Sequence, residues 1–344
     1  MMRRLLAAAA ALAFAVPVLG LAPAHADEGE GKKLFTIDDE RITESSGLAR
    51  SHKHKDIWWT INDSGDSARL FALDTEGKVV AELTYSAEVH DVEAIAVGTD
   101  DKIYVADIGD NVRDRKQVHV YVIREPEDLQ DQKVKYRQYD FAYPDGPHNA
   151  EALLVEPQTN RMFIVTKEVP KSTIWSLPPK QELSRSDVNK LVKIADAPAI
   201  VTDGTFTPDG KRMILRDPVT MFVVGWPGAK PRFTAQLPLQ PTGESLAMGP
   251  DDTSVLVGSE GKTSAVYQVA IPTKQATPAK PKTQDAGTNA AGAKQSHTMR
   301  WTLIGAGGFA LLMAMFTFPQ GRRERADAAW ELQRRPHHRT RSVT

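Results

Sequence analysis

A short stretch that starts with a polar or acidic residue and continues as an apolar run occurs five times in the chain. The five first residues are Ser46, Glu93, Glu151, Asp203 and Glu244. Four of them are carboxylates, which a purely structural repeat does not require. If the stretches converge, the carboxylates repel one another unless they bind a cation or take up protons. A site of oxygen ligands alone favours a hard ion, Ca²⁺ before Mg²⁺.

Further polar residues accompany the repeated stretch. Asp91 and Asn149 lie two residues before Glu93 and Glu151 and offer more oxygen atoms. Polar groups also follow the next strand of each repeat, where Asn and Asp serve tight turns and where Lys167 and Arg216 can pair with an acidic ring or bind an anion. We therefore predict metal ligands at Glu93, Glu151, Asp203 and Glu244. The predicted ligand-binding residues are Ser46, Asp91, Asn149, Asn62, Asp63, Asp107, Lys167 and Arg216.

Two alternatives apply to these residues. The acids can face away from any channel and bond turn amides, because a register slip of one residue moves every side chain to the other face. His90 and His148, three residues before Glu93 and Glu151, are either acid/base groups or solvated loop histidines. No catalytic residue is assigned, because the chain has no phosphate loop, dinucleotide fingerprint, zinc helix motif or complete nucleophile elbow.

The elements that must position these residues are strands. From residue 34 to residue 271, alternating or β-branched runs are separated by Gly, Pro, Asp and Asn clusters. The strands repeat in cycles of about 30 to 55 residues, the range of propeller blades. The fifth cycle stops after three strands at Pro272, and Leu34–Ile37 is a spare strand at the other end. We predict an all-β, five-bladed β-propeller closed by the N-terminal strand, with the repeated stretch lining its channel.

The segments outside the propeller predict export and a membrane anchor. Residues 1–26 have the basic start, apolar run and Ala24-His25-Ala26 ending of a signal peptide, with an uncleaved anchor as the alternative. Residues 272–298 have the composition of a disordered tether. Residues 301–318 form an uncharged apolar segment that is read as a transmembrane helix and not as a core helix.

Residues 319–344 form an arginine-rich tail, which the positive-inside rule places in the cytoplasm. The predicted location is the cell membrane, with a single span and the propeller on the extracytoplasmic side.

Composition excludes several classes of function. A net charge of -1, from 43 basic and 44 acidic residues, gives no electrostatic footprint for nucleic acid. The absence of cysteine excludes disulfides, thiolate metal sites, a cysteine nucleophile and a lipidated cysteine.

Several runs resemble a family of exported bacterial β-propellers that are described as WD40-like or as similar to esterase-like, phytase-like propellers. They are Ser46-Gly47-Leu48-Ala49, Asn62-Asp63-Ser64-Gly65-Asp66, Asp91-Val92-Glu93-Ala94-Ile95-Ala96, Asp107-Ile108-Gly109-Asp110-Asn111 and Asn149-Ala150-Glu151-Ala152-Leu153. The resemblance covers about residues 42–271. The resemblance implies a calcium ion in an acidic channel and a reaction on phosphoesters. The residues that match the calcium site are Glu93, Glu151, Asp203 and Glu244. The chain departs from that pattern because it has no obvious basic cluster for a polyphosphate.

The sequence thus predicts a membrane-anchored extracytoplasmic propeller that binds a ligand or a protein partner and holds a divalent cation in its channel. One alternative is a metal-assisted hydrolase of phosphoesters or glycosides, since paired carboxylates can serve as general acid and base. Another is a structural cell-envelope protein without a catalytic site.

Overall fold

The computed structural model describes residues 31–63 and 65–273 and folds them into five sheets. The described part of the chain begins with β1 (Gly31–Ile37), which does not pair with β2, the next strand in the sequence. Blade 1 comes next and consists, from the channel outward, of β2 (Ser45–Arg50), β3 (Trp58–Asn62), β4 (Arg69–Leu73) and β5 (Val79–Thr84). Blade 2 has β6 (Val92–Gly98), β7 (Lys102–Asp107), β8 (Val118–Arg124) and, after a short β9 (Gln132–Lys133), β10 (Tyr136–Ala142).

The other three blades follow the same order. Blade 3 has β11 (Ala150–Val155), β12 (Met162–Thr166), β13 (Ser172–Ser176) and, after a 3-10 turn at Lys180–Glu182 and a short β14 (Asn189–Lys190), β15 (Val192–Ala197). Blade 4 has β16 (Asp203–Phe206), β17 (Arg212–Arg216), β18 (Thr220–Gly225) and β19 (Lys230–Gln236). Blade 5 has β20 (Gly243–Met248), β21 (Ser254–Ser259) and β22 (Ser264–Ala270).

The N-terminal strand completes blade 5. β1 runs antiparallel to β22, with Thr36 opposite Ala265. The strands β2, β6, β11, β16 and β20 each lie at one edge of their sheet and contact one another in a closed ring. The predicted five-bladed propeller, closed by the N-terminal strand, is therefore confirmed, with strands from Gly31 to Ala270.

The core lies between the blades. Five apolar clusters each combine residues of two neighbouring blades. Because successive side chains of a strand point to opposite faces, Trp58 packs toward blade 5 and Trp59 toward blade 2. This explains why the central strands are continuous apolar runs, whereas outer strands such as β19 are largely exposed.

Two short strands were not expected from the sequence. β9 pairs in parallel with β5, and β14 pairs in parallel with β10. Each comes from a loop of the following blade and covers the outer edge of the preceding one. Such covering removes an unpaired edge that could otherwise pair with another chain.

Within residues 31–63 and 65–273, no helix is long and apolar enough to cross a membrane. The predicted signal peptide, transmembrane helix (301–318) and cytoplasmic tail (319–344) lie outside the described residues. The same holds for the predicted tether 272–298 beyond its first two residues.

Candidate functional site

All five innermost strands begin at the same end of the channel, which we call the acidic mouth. It contains Ser46, Glu93, Glu151, Asp203 and Glu244, each between 1% and 6% exposed. The ends of the second strands reach the same place because each pairs antiparallel with the start of an innermost strand. The two sets of polar residues predicted from the sequence therefore meet at this mouth.

A β-bulge marks the start of four innermost strands. The pairing register shifts around Ser46 in β2, Glu93 in β6 and Glu151 in β11, and between Gly243 and Leu246 in β20. A bulge inserts an extra residue and redirects its side chain. In β16 no shift occurs, and Asp203 lies directly opposite Arg216. Blade 4 thus presents its acid differently from blades 2, 3 and 5.

Three carboxylates form a compact group, which we call the cation cluster: Asp63, Asp91 and Glu93. One oxygen from each lies within 4.8 Å of the other two. Asp63 follows β3, Asp91 precedes β6 and Glu93 lies within β6, so blades 1 and 2 both contribute. Burial, and then the charge of Asp63, raise the pKa of Asp91 to about 7. Burial, followed by the charge of Asp63, also raises the pKa of Glu93 well above its usual range.

Gly109 leaves room for the cation cluster. A Cβ atom at this position would lie 2.3 Å from Asp91 Oδ2 and 2.6 Å from Glu93 Oε1, so a side chain there would displace both carboxylates. The Gly109 amide also donates a hydrogen bond to the Asp91 carbonyl oxygen at 3.1 Å. A glycine in the loop after β7 is therefore a steric requirement of this arrangement.

Asp107 supports the cluster from behind. Its buried carboxylate accepts hydrogen bonds from the amides of His90 and Asp91 at 3.0 and 3.1 Å. It also forms an ion pair with Arg115 Nη2 at 2.7 Å. Asp107 thus holds the segment that carries Asp91, and Arg115 balances its charge.

Lys167 lies against the other half of the mouth. Its Nζ is 2.6 Å from Glu151 Oε2 and 3.7 Å from Glu244 Oε1. Burial acts to lower the pKa of Lys167, but the two carboxylates outweigh it and the pKa is raised. The lysine therefore stays charged; it balances Glu151 and Glu244, and its charge also acts on Glu93 of the cation cluster.

Asp203 and Arg216 bond to the backbone instead. The carboxylate of Asp203 accepts hydrogen bonds from the amides of Leu246 and Gly204 at 2.6 and 2.7 Å. Arg216, fully buried, donates through Nη1 to the carbonyl oxygens of Ser245 and Gly258 at 3.0 and 3.1 Å. Burial lowers the pKa of Arg216 to about 10 and raises that of Asp203. These side chains join blades 4 and 5.

The predicted neutral residues hold the surrounding loops. Ser46 Oγ donates to the Glu93 carbonyl oxygen at 2.9 Å, which links blades 1 and 2. Asn149 Oδ1 accepts from the Asp110 amide at 2.7 Å, and Asn62 Nδ2 donates to Asp66 Oδ2 at 2.6 Å. These contacts order the rim of the mouth.

The predicted histidines lie at the edge of the mouth. His90 is 60% exposed, with Nδ1 3.9 Å from Asp107 Oδ2. His148 lies between Glu168 and Asp145, at 2.9 and 3.0 Å.

A further acid of the mouth, Glu260, is not among the site residues predicted from the sequence. Burial, followed by the charge of Glu244, raises the pKa of Glu260 to about 8. Glu260 comes directly after β21, as Lys167 comes directly after β12. The two positions are therefore equivalent in blades 3 and 5, and the sequence pattern does not show that the acid is buried.

A comparison with known families gives one match. The sequence model of the family described as SdiA-regulated matches residues 28–215, more than half of the chain. That range includes Asp63, Asp91, Glu93 and Gly109, and it supports the propeller part of the resemblance noted above. The esterase-like, phytase-like part stays a prediction. No curated protein matched the chain. The chain belongs to the SdiA-regulated family.

Proposed function

We propose that this propeller binds a divalent cation at Asp63, Asp91 and Glu93 and presents the ion to a ligand or protein partner at the acidic mouth. One observation carries the proposal: a single oxygen from each of the three carboxylates lies within 4.8 Å of the others. Ca²⁺ holds oxygen ligands at about 2.3–2.6 Å, so oxygens that share one ion are at most ~5 Å apart. The cluster has the spacing that one calcium ion needs.

The electrostatics of the mouth support the same proposal. Without an ion, the raised pKa values of Asp91 and Glu93 mean that protons reduce the repulsion within the cluster. A cation would stabilise the ionised carboxylates in place of those protons.

Calcium takes about six to eight oxygen ligands, and three carboxylates supply only part of that number. The remaining positions would go to water, backbone oxygens or oxygen atoms of a ligand. A partner with carboxylate, phosphate or hydroxyl groups would therefore bind through the ion. Open positions are also what metal-assisted hydrolysis needs, which keeps a hydrolase of phosphoesters as the second candidate.

Calcium titration of the full-length chain tests the proposal. We expect one ion to bind, and we expect Glu93→Gln to weaken its binding by about tenfold or more, because affinity follows ligand charge. The matched control is Asp145→Asn, which removes an acid that is 55% exposed and bonded to His148. The affinity of this control should equal that of the wild type. A chain that binds no calcium would refute the proposal.

A second variant disturbs the positions of the carboxylates without removing any of their charges. Gly109→Ala keeps every carboxylate but places a methyl group against Asp91 and Glu93, so calcium affinity should fall as in Glu93→Gln. Gly98→Ala, at the other end of β6, is the control, since its Cβ would crowd Asn160 Oδ1 of blade 3 at 2.5 Å and not the cation cluster. If both alanine variants bind calcium alike, the cluster is not the site. If the wild-type protein hydrolyses members of a phosphoester panel and Glu93→Gln does not, the protein is a hydrolase.

The proposed location is the cell membrane, with the propeller outside. It rests on the signal-like residues 1–26, the apolar residues 301–318 and the basic residues that follow. Because the chain has no cysteine, single cysteines can report location. In intact cells, Thr234→Cys should react with a membrane-impermeant maleimide, and Ser342→Cys should react only after lysis. Reaction of both, or of neither, before lysis would contradict this location.

A further inference from the structure

A small cleft between blades 2 and 3, which we call the basic cleft, lies apart from the channel, since none of its lining residues belongs to an innermost strand. Its cavity has a volume of about 30 Å³. A single buried water needs ~10–15 Å³, so the cavity accepts one compact group of a ligand and not a whole molecule. The lining includes Lys102, Arg137 and Tyr139 of blade 2 and Pro178, Lys180 and Leu183 of the loop after β13.

The positive charges of the basic cleft exceed the negative ones. Three cations line the cleft, and among the described residues no carboxylate does. Lys102 and Lys180 both contact the same oxygen, Asp100 Oδ2. The other oxygen, Oδ1, accepts a hydrogen bond from the Tyr104 hydroxyl at 3.1 Å. One carboxylate thus serves two ammonium groups, and Arg137 adds a third positive charge.

The protonation of Lys102 reflects this shortage of negative charge. Burial lowers the pKa of Lys102, and the neighbouring Lys180 lowers it further, whereas Asp100 acts in the opposite direction. A bound anion would offset both effects, because it stabilises the charged form of the lysine. The electrostatics of the cleft therefore favour an anionic ligand over a neutral or cationic one.

The wall of the basic cleft also offers apolar surface. Tyr139, Pro178 and Leu183 are only half-buried, so part of each side chain is open to a ligand. Tyr139 and Leu183 pack against the apolar core between blades 2 and 3, which holds them in place. A ring or a short alkyl group that covers these side chains removes apolar surface from water.

From this arrangement we infer that the basic cleft binds a small amphipathic anion. Its phosphate, carboxylate or sulfonate group contacts Lys102, Lys180 and Arg137, and its apolar part covers Tyr139 and Leu183. The site is independent of the cation cluster, because the two share no residue. The propeller therefore has two sites for ligands of opposite charge, one at the channel mouth and one between the outer parts of two blades.

Lysine labelling of the full-length chain tests this inference. The probe is pyridoxal 5′-phosphate, whose aldehyde forms an imine with a lysine amine and releases water, and the control reagent is pyridoxal, which lacks the phosphate. Borohydride then transfers a hydride to the imine carbon while water supplies a proton to the nitrogen, and mass spectrometry locates the labelled lysines. Calcium is omitted so that the cation cluster cannot hold the phosphate through an ion.

The chain contains a matched pair of control lysines. Lys171 and Lys193 share the carboxylate of Asp196, as the cleft lysines share that of Asp100, but they are 57% and 53% exposed and do not line the cleft. They report how the phosphate affects labelling where two lysines share one acid without a cavity.

The measured quantity is the ratio of labelling by pyridoxal 5′-phosphate to labelling by pyridoxal at each lysine. We expect this ratio to be about tenfold higher at Lys102 or Lys180 than at the control pair, the effect of one charge-assisted hydrogen bond to the phosphate. Arg137→Met, which changes an exposed side chain, should lower the ratio in the cleft and leave it unchanged at the control pair. Equal ratios at the two pairs, or an unchanged ratio in Arg137→Met, would overturn the inference.

Protection experiments test the charge and the apolar part of the ligand separately. Benzenesulfonate should protect the cleft lysines from the probe, and neutral benzenesulfonamide should not. Methanesulfonate has the charge without the ring, so it should need a concentration about tenfold higher for the same protection. If the sulfonamide protects as well as benzenesulfonate, the cleft does not select an anion. If methanesulfonate protects as well, the ligand makes no apolar contact there.

Discussion

Replacing Lys167 by methionine is expected to lower the free energy of unfolding by about 3–5 kcal/mol at pH 7.5, the usual cost of breaking a buried ion pair by removing one partner. Lys167 lies 2.6 Å from Glu151 and 3.7 Å from Glu244, and both carboxylates are 7% exposed. Without the lysine, two buried acids must repel each other or take up protons. Urea unfolding followed by tryptophan fluorescence measures the loss.

Two further variants give this prediction its controls. Lys171→Met removes a lysine from the same loop that is 57% exposed and paired with Asp196, so it should change stability by at most about 1 kcal/mol. Glu151→Gln, added to Lys167→Met, should recover part of the loss because one buried charge disappears. Equal stability of the two lysine variants would mean that Lys167 does not stabilise the mouth.

In excess chelator, the protein is expected to become less stable as the pH rises from 5 to 8. The pKa of Asp91 is raised to about 7 and that of Glu260 to about 8, in both cases with burial as the first cause. Ordinary values in an unfolded chain are about 3.9 and 4.3. At a pH between the pKa of the unfolded chain and the higher pKa of the folded chain, the folded chain keeps a proton that the unfolded chain has lost. Each such group therefore removes about 1.4 kcal/mol of stability per pH unit.

Calcium should reverse part of this dependence. The ion binds the ionised form of the cluster, so the stabilisation it gives should be small at pH 5 and grow toward pH 8. Melting curves with calcium and with chelator at several pH values test both statements. Stability that does not change with pH in chelator, or a calcium effect equal at pH 5 and pH 8, would contradict them.

Local patterns were sufficient to predict the blades. Apolar Phe35 and Ile37 alternate with polar Thr36, and the fifth cycle is one strand short. These two patterns predicted a strand that closes the ring. β1 lies beside β22 as that reasoning required. The two-residue strands β9 and β14 escaped prediction because Gln132–Lys133 and Asn189–Lys190 carry no periodicity, and their pairing depends on loops that fold back from the next blade.

The site was less predictable, because the direction of a side chain depends on register and on competing partners. Strand order placed the acids at one end of the channel, but bulges and the space left by Gly109 determine which of them approach one another. Asp203 accepts the Leu246 amide of the next blade, and Asp107 pairs with Arg115 in the loop after its own strand. Neither partner can be recognised before the chain is folded.

The pairing of β1 with β22 also governs how the molecule is assembled. Gly31 lies opposite Val269, so folding must bring together the two ends of the described chain. Contacts so distant in sequence form slowly, since loop closure has to precede them. Until then β22 is an unpaired edge, and β1 from a second copy fits it as well as the molecule's own strand does. Ring closure is therefore the step at which correct folding competes with strand exchange between molecules.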